Sequence, residues 1–501
     1  LSEFTTLDDR CQDYTNITGE CQLQREKCKE EFMLIRLTHM KKLIRIFLLA
    51  ALFLAACVAQ NTTVQETATA TEITQTATPT SSPTPTSTPS TSSEQQLTFW
   101  HPWTGTKAAS VAALIEEYNA INQGGITINA IAAGDDDYLI SEINAAIENN
   151  SVPDLVVAPA DYLRSQYDAQ GILIGLDDFV NDPEKGISED EQKTIPAAFW
   201  NGDVINGERY GVPAEYTLHF LYYNQTWAQE LGFETAPTSS EEFLNQACAA
   251  ARYNANDGDA DNNGTGGWIY NTDAVTMLSW MQVFGGGEIP PETQRGFSFN
   301  TSENQRALEF LRTIYQLDCA WSGKEETPYR YFSKRYALFY SGSTADWNRQ
   351  ITMDETENNT DEWTIIAYPG NDGNPIVNGE ALSYGIFKTN SEKEQAAWDF
   401  IHWMISNEVQ ERLSEETFSI PINLAVVQDM SDFLGDNSKW QRVLTYLPLS
   451  KPTPLSGSWS LIKNLLQDMG WQLSLYTVKE ADIPAILENL ENMANEGING
   501  S

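Results

Sequence analysis

Between residues 97 and 158 the chain alternates two hydrophobic periods, and that alternation restricts its fold more than any other feature. Leu97-Thr98-Phe99-Trp100-His101 reads as a short strand. From about 107 to 122, Val111, Leu114, Ile115, Tyr118 and Ile121 fall on one helical face. Ile126-Thr127-Ile128-Asn129-Ala130-Ile131 alternates as a strand, about 138–148 is again helical, and Pro153-Asp154-Leu155-Val156-Val157-Ala158 is a continuous apolar strand with a polar entry. Helical crossovers between successive strands leave those strands parallel, and helices on the faces explain the unbroken apolar run. The predicted class is α/β.

The pattern continues. Leu218-His219-Phe220-Leu221-Tyr222-Tyr223 reads as a strand, and Ser239-Ser240-Glu241-Glu242 caps a helix that runs to 252. Helices are predicted at about 275–284, 302–317, 392–406 and 408–413, and the region after about 432 reads as mostly helical. From Leu97 onward about 400 residues remain, a length for two or three domains. Fourteen tryptophans supply a sizeable core.

The formal charge is -40, and the segment before Cys57 is balanced, so the acidity belongs to the rest of the chain. Such a surface repels phosphate backbones and does not dock on anionic lipid through a basic patch, so nucleic acid is not an expected partner. Past Cys57 only Cys248 and Cys319 remain. In an exported protein this pair is either a disulfide clamping two helices, each cysteine lying late in a predicted helix, or two buried reduced thiols. There is no Gly-x-Ser-x-Gly elbow, no His-Glu-x-x-His and no phosphate-cradling glycine loop.

Met40-Lys41-Lys42-Leu43-Ile44-Arg45 precedes an apolar stretch over 46–56 that ends Leu54-Ala55-Ala56, followed by Cys57 and a Thr/Ser/Pro-rich tract over 61–93. A basic start, a short apolar core and small residues before the cut describe a secretory signal, too short to span a membrane comfortably. Cys57 directly after Leu-Ala-Ala resembles the bacterial lipobox. That resemblance implies cleavage before Cys57, diacylation of its thiol, and a body held to the outer face of the cell membrane by lipid alone. An ordinary cleaved signal is the competing reading. The expected organisation is an upstream extension over 1–39 outside the mature protein, a signal peptide over 40–56 and a lipidated linker over 57–96. That linker lacks apolar residues to bury, so it stays extended. The spacing of Cys11, Cys21 and Cys28 fits no zinc pattern.

Several segments together resemble the extracellular solute-binding proteins of bacterial ABC importers, in the large sugar-type family that includes maltose-binding protein. Leu97 to Gly105 is similar to the family's opening "hydrophobic-Trp-His-x-Trp-x-Gly". Val152-Pro153-Asp154-Leu155-Val156 resembles its third strand, and the segment from Gly171 to Phe179 its "G-x-L-x-x-L-D-x-hydrophobic" run. Tyr210-Gly211-Val212-Pro213 with Leu221-Tyr222-Tyr223-Asn224 resembles its first crossover. The segment from Pro237 to Phe243 resembles a helix start of the family, and Ala367-Tyr368-Pro369-Gly370 with Val377-Asn378-Gly379-Glu380 its return crossover.

The resemblance implies a two-lobe periplasmic-binding-protein-like fold of type II, with a ligand cleft between lobes joined by crossover strands. Lobe 1 is expected over 97–212 plus 378–430, and lobe 2 over 213–377 plus 431–501. It further implies a monomeric binder of a small-molecule carbohydrate, with no required cofactor, that captures its ligand by hinge closure and delivers it to a permease and its ATPase.

Strand-end loops carry the expected site. Sugar rings have apolar faces that stack on aromatic rings, while carboxylates, amides and guanidinium groups bond the hydroxyls. Trp103 is the expected stacking residue and His101 a polar contact. Asp161, Tyr162, Glu215 and Tyr216 follow the third strand and the first crossover; Gly379 and Glu380 stand at the return crossover. The segment from Tyr340 to Trp347 resembles the family's "G-x-A-M-x-x-x-G-x-W", which implies that Ser343 and Trp347 contact ligand. Trp268, Tyr270 and Trp280 are weaker candidates.

Asp259, Asp261 and Asn263, with Gly264, match the first half of a calcium loop, with Asp257 just before it a further candidate ligand, but Tyr270 stands where a bidentate glutamate belongs. A structural calcium and a plain acidic turn are the two readings. The rival class for the whole chain is a secreted cell-surface carbohydrate-active enzyme of glycosidase type, which needs two carboxylates at a defined separation. The order of the motifs favours the non-enzymatic binder.

Overall fold

The computed structural model describes residues 95–501 apart from 123, 168–170, 291–295, 326, 371–372, 456–457 and 501. The signal segment, Cys57, the upstream cysteines and the linker as far as residue 94 lie outside the described residues.

The alternating N-terminal pattern becomes β1 (Gln95–His101), α1 (Gly105–Ile121), β2 (Ile126–Ala132), α2 (Asp136–Glu148), β3 (Leu155–Pro159) and α3 (Ala160–Ser165). β1 lies between β2 and β3 and runs parallel to both. Asp135 caps α2 by accepting from the Tyr138 amide, which satisfies one of the helix's free donors. Both faces of β3 are covered. Leu155 and Val157 join the core that holds Phe99, Val111 and Phe400, while Val156 and Ala158 join a smaller one with Leu139, Leu163 and Tyr210. That is why β3 reads as a continuous apolar run.

The chain then forms β4 (Val212–Asn224), α4 (Ser240–Asn254), β5 (Gly266–Ile269), α5 (Ala274–Val283), α6 (Ser302–Gln316), β6 (Ala320–Trp321), β7 (Ala337–Ser343), α7 (Trp347–Glu357), β8 (Trp363–Ile366) and β9 (Asn378–Ile386). Here β5 lies between β6 and β7, parallel to both. After β9 come α8 (Ser391–Met404), α9 (Asn407–Thr417), α10 (Ser438–Tyr446), β10 (Lys451–Pro452), α11 (Trp459–Leu473) and α12 (Ile483–Gly500).

Two long antiparallel strands join the parallel patches. β4 pairs with β9 from Val212 to His219 and with β7 from His219 to Tyr223. β9 pairs with β3 from Leu382 to Ile386. The strand order is β2-β1-β3-β9-β4-β7-β5-β6, with β8 on β4 and β10 on β9. One strand thus leaves the first lobe and enters the second, and another returns. This is the two-lobe α/β architecture with a cleft between lobes.

The second lobe has its own core, in which Phe243, Trp268, Trp280, Leu308, Trp459 and Leu487 are all buried. It draws α11 and α12 back from the C-terminus. α10 goes elsewhere: Trp440 and Val443 join the larger core with Phe99, and Lys439 pairs with Glu362 at 2.7 Å beside β8.

Cys248 and Cys319 form a disulfide with Cα atoms 4.5 Å apart. Cys248 lies within α4, but Cys319 follows α6 at the entry to β6, so the bond ties a helix to a strand entry and does not clamp two helices. The packing there is tight. A Cβ on Gly267 would collide with the Cys319 carbonyl oxygen and stand 2.8 Å from that of Ala247, so only glycine lets α4, β5 and Cys319 meet. Among the described residues no helix is long and apolar enough to cross a membrane.

Candidate ligand-binding cleft

The carboxyl ends of parallel strands open onto one cavity of about 460 Å³. β1 leads to Trp103 and Lys107, β2 to Asp136 and β3 to Asp161. From the other lobe β7 ends in Ser343, and α7 adds Asn348 and Arg349. The crossover strands line it with Glu215, Thr217 and His219 from β4 and Glu380 from β9. Phe418, after α9, and Lys463, on α11, complete the wall. Ligands collect at such strand ends because loops from adjacent strands diverge there.

The charges are arranged in pairs and in one open group. The Glu215 carboxylate accepts from the Trp103 indole N–H at 2.6 Å and pairs with Lys107 at 2.8 Å. Lys107 also donates to the Ser419 hydroxyl at 2.9 Å. His219 Nε2 lies 2.9 Å from Glu380. Burial works to lower the His219 pKa, but the Glu380 hydrogen bond and charge outweigh it and hold it above its ordinary value. Burial likewise works to raise Glu380, and the bond to His219 overrides it and holds the carboxyl low. The two therefore favour the charged pair.

Asp136 and Asp161 differ. Solvent reaches Asp136, yet it stands deep between the lobes, and loss of hydration, with the nearby Glu380 and Glu215 charges, pushes its carboxyl up to about 7 against the pull of Lys463. Burial, opposed by Lys463 and reinforced by Glu380, pushes Asp161 up to about 6. The cleft thus presents two easily protonated carboxyls, each a donor or an acceptor according to pH.

The structure brings Trp103, Asp161, Glu215, Ser343 and Glu380 together on the cleft, but Trp103 is 5% exposed and packed on Phe99 and His101, so it reaches the cleft by an edge and presents no stacking face. The other expected residues lie outside the cleft lining. His101 is buried against the rings of Phe99 and Trp103, and burial lowers its pKa to about 4, so it is a neutral packing group and not a polar contact. Tyr162 donates to the Asn144 side chain at 2.9 Å. Tyr216 is buried and stacks on Phe199 with ring centroids 4.3 Å apart. Trp347 is 2% exposed and packs edge-on against Trp363. Gly379 lies against Phe199, where a Cβ would stand 2.8 Å from the ring. The alternation of β-strand residues accounts for the crossover: Glu215, Thr217 and His219 face the cavity, while Tyr216 and Leu218 face the core.

Sequence reading missed Lys107, Asp136, His219, Arg349 and Lys463. Asp136 had a signal, because it stands at the end of β2 as Asp161 stands at the end of β3. Lys463 had none, since only tertiary packing returns α11 to the cleft.

The acidic loop is closed by its own hydrogen bonds. Asp257 accepts from the Asp259 amide and the Asn262 side chain, and Asp259 accepts from the Asp261 amide. Tyr270, in the twelfth position, donates to the Gly470 carbonyl. Among the described residues no three His, Cys, Asp or Glu side chains gather as a metal site.

Among solved structures, the fold is similar to UgpB from Mycobacterium tuberculosis in complex with glycerophosphocholine (TM-score 0.68, 19% identity, 80% of this chain and 99% of that one). It is also similar to the cyclic alpha-maltosyl-1,6-maltose binding protein from Arthrobacter globiformis (0.65, 17%, 81% and 99%). A third similar structure is the maltose/maltodextrin-binding domain MalE from Bdellovibrio bacteriovorus bound to maltotriose (0.64, 18%, 81% and 100%). No curated protein matches the sequence. The model of the family described as bacterial extracellular solute-binding protein matches residues 113–441, and the chain belongs to that family.

Proposed function

We propose that the protein is the ligand-capturing component of a bacterial ABC importer, that its ligand is a carbohydrate, and that it acts without chemical conversion of that ligand. The observation that carries this reading is the convergence of strand ends from both lobes on one polar cavity holding Trp103, Glu215 and Glu380. Carboxylates and amides there bond hydroxyls, and the edges of Trp103 and Phe418 offer apolar contact. One solved structure of the same fold is bound to maltotriose and another is a cyclic alpha-maltosyl-1,6-maltose binding protein, which supports the carbohydrate class. Closure about β4 and β9 then buries the ligand, and a permease with its ATPase reads the closed form. The lobes divide at 212/213, 377/378 and 430/431. Cys57 carries the lipid that holds a monomeric body at the outer face of the membrane.

The test is a thermal-shift screen of the purified protein against neutral sugars, sugar phosphates and glycerophosphodiesters. A ligand that binds only the folded state raises the melting temperature by mass action. One neutral sugar should give a clear shift and be recovered intact, and Glu215→Gln should weaken it about tenfold. Hydrolysis of that sugar would move the chain to the glycosidase class. A shift from phosphodiesters alone would refute the carbohydrate assignment.

A further inference from the structure

Two buried polar groups lie bare where the crossover strands leave the first lobe, and the cleft uses neither of them. From Leu382 onward β9 is held in the first lobe's sheet by β3. At the same point its ladder with β4 is broken. Leu382 pairs with Glu215 but Ser383 pairs with Pro213, so Ala214 is an extra residue on β4. Such a bulge disrupts the ladder and bends its strand, which makes it the place where the ribbon can flex.

Asp203 marks the first-lobe side of the bulge. It ends a helical turn over Asn201–Asp203 and is 1% exposed. One carboxylate oxygen accepts from the Ser383 hydroxyl at 2.8 Å. The other is buried and has no hydrogen-bond partner among the described residues. Gly211 packs directly on the carboxyl, where a Cβ would stand 3.2 Å from its carbon. The Arg209 guanidinium eases the charge from nearby, but it donates to the Trp200 and Gly211 carbonyls.

Tyr216 marks the other side. It pairs with Ala381, past the bulge, and its buried hydroxyl also has no partner among the described residues. Both groups lie under one face of the ribbon. Phe199 stacks on Tyr216 and lies against Gly379, and Ser383, four residues further along β9, points to that same side. The Asp203 charge is near enough to oppose ionisation of the Tyr216 hydroxyl. A phenol donates and a carboxylate accepts. Folded interiors rarely leave such groups unsatisfied.

We infer that the ribbon has a second position in which the Tyr216 hydroxyl donates to the bare Asp203 oxygen. The pair is then a latch across the bulge, and it weights the balance between two lobe arrangements without touching ligand. Glu215, next to Tyr216, faces the cleft, so movement of β4 at the bulge carries a cleft carboxylate with it. Asp203 and Tyr216 are thus positioning residues for closure.

The test is double electron–electron resonance on the purified protein without ligand. Nitroxides are coupled to azide-bearing residues at the exposed positions of Glu142 on α2 and Glu309 on α6, one in each lobe. Two interlobe distances are expected. Tyr216→Phe removes only the unpartnered hydroxyl and keeps the ring on Phe199, so its melting temperature should not fall. It should deplete one of the two distances about tenfold, the worth of one hydrogen bond. Asp203→Asn keeps an acceptor for Ser383 and should deplete the same distance less, because a neutral acceptor bonds more weakly. The two changes together should do no more than Tyr216→Phe alone. If Tyr216→Phe does not fold, Asp203→Asn decides. A single distance in the parent protein, or two whose weights neither variant moves, overturns the inference. Additive effects of the two changes overturn it as well, since the groups would then act separately. No sugar is needed, so failure here leaves the carbohydrate reading standing, and failure of that reading leaves the latch standing.

Discussion

Replacing Asp161 by asparagine is expected to stabilise the protein at neutral pH and to leave it unchanged in acid. Burial, only partly offset by Lys463 and added to by Glu380, lifts the carboxyl from 3.8 to about 6 in the folded chain. A carboxyl whose folded value is raised holds its proton more tightly in the native state. As pH climbs from about 4 to about 6 the unfolded chain releases the proton first, so stability falls through that window and the loss is complete above it. At about 1.4 kcal/mol for each pH unit separating the two values, the native state carries a cost of about 3 kcal/mol. Asp161 is only partly buried, and solvent screening reduces this to about 1–2 kcal/mol. Asparagine keeps the shape and carries no charge to desolvate. Urea unfolding at about pH 4 and about pH 7.5 reads the difference as a shift in midpoint at constant slope. The variant should gain stability only at the higher pH while its affinity for ligand falls, because the charge is kept for the site and not for the fold. No gain at neutral pH, or the same gain at both, would refute the electrostatic account.

His219→Ala removes the partner that holds the Glu380 carboxyl low, and should cost about 1 kcal/mol at neutral pH, because Glu380 is only partly buried and solvent screens its unpaired charge. Because that depressed carboxyl loses its stabilising contribution as pH falls, the acid sensitivity measured by chemical denaturation should be shallower in the variant. Changing Cys248 and Cys319 to serine together opens a loop whose ends are 71 residues apart and should cost about 4 kcal/mol, read as a lower urea midpoint. Gly267→Ala should cost about 3 kcal/mol or more, or prevent folding, because its methyl meets the Cys319 and Ala247 carbonyl oxygens; circular dichroism melts would check this.

Local pattern alone determined the first lobe's sheet. The alternation over 97–158 admits only parallel strands under crossover helices, and the strand-end rule then pointed to Trp103 and Asp161, while the family resemblance implied Ser343; the folded chain brings all three to one cavity. The same reading failed where burial decides a side chain's role. His101, Tyr216 and Trp347 have the chemistry of ligand contacts, but each falls on the buried face of its element, and the difference from a neighbour such as Glu215 is one residue of strand register. The register of β4 against β9 and β7 was not legible, because it depends on two segments more than a hundred residues away. Nor was the return of α11, which carries Lys463 to face Asp136, Asp161 and Glu380 across the cleft. Periodicity is a property of neighbours along the chain, so it specifies elements and the ends at which ligands collect. The pairing of charges and the convergence of both lobes on one cavity are properties of neighbours in space, and only the packed tertiary structure determines them.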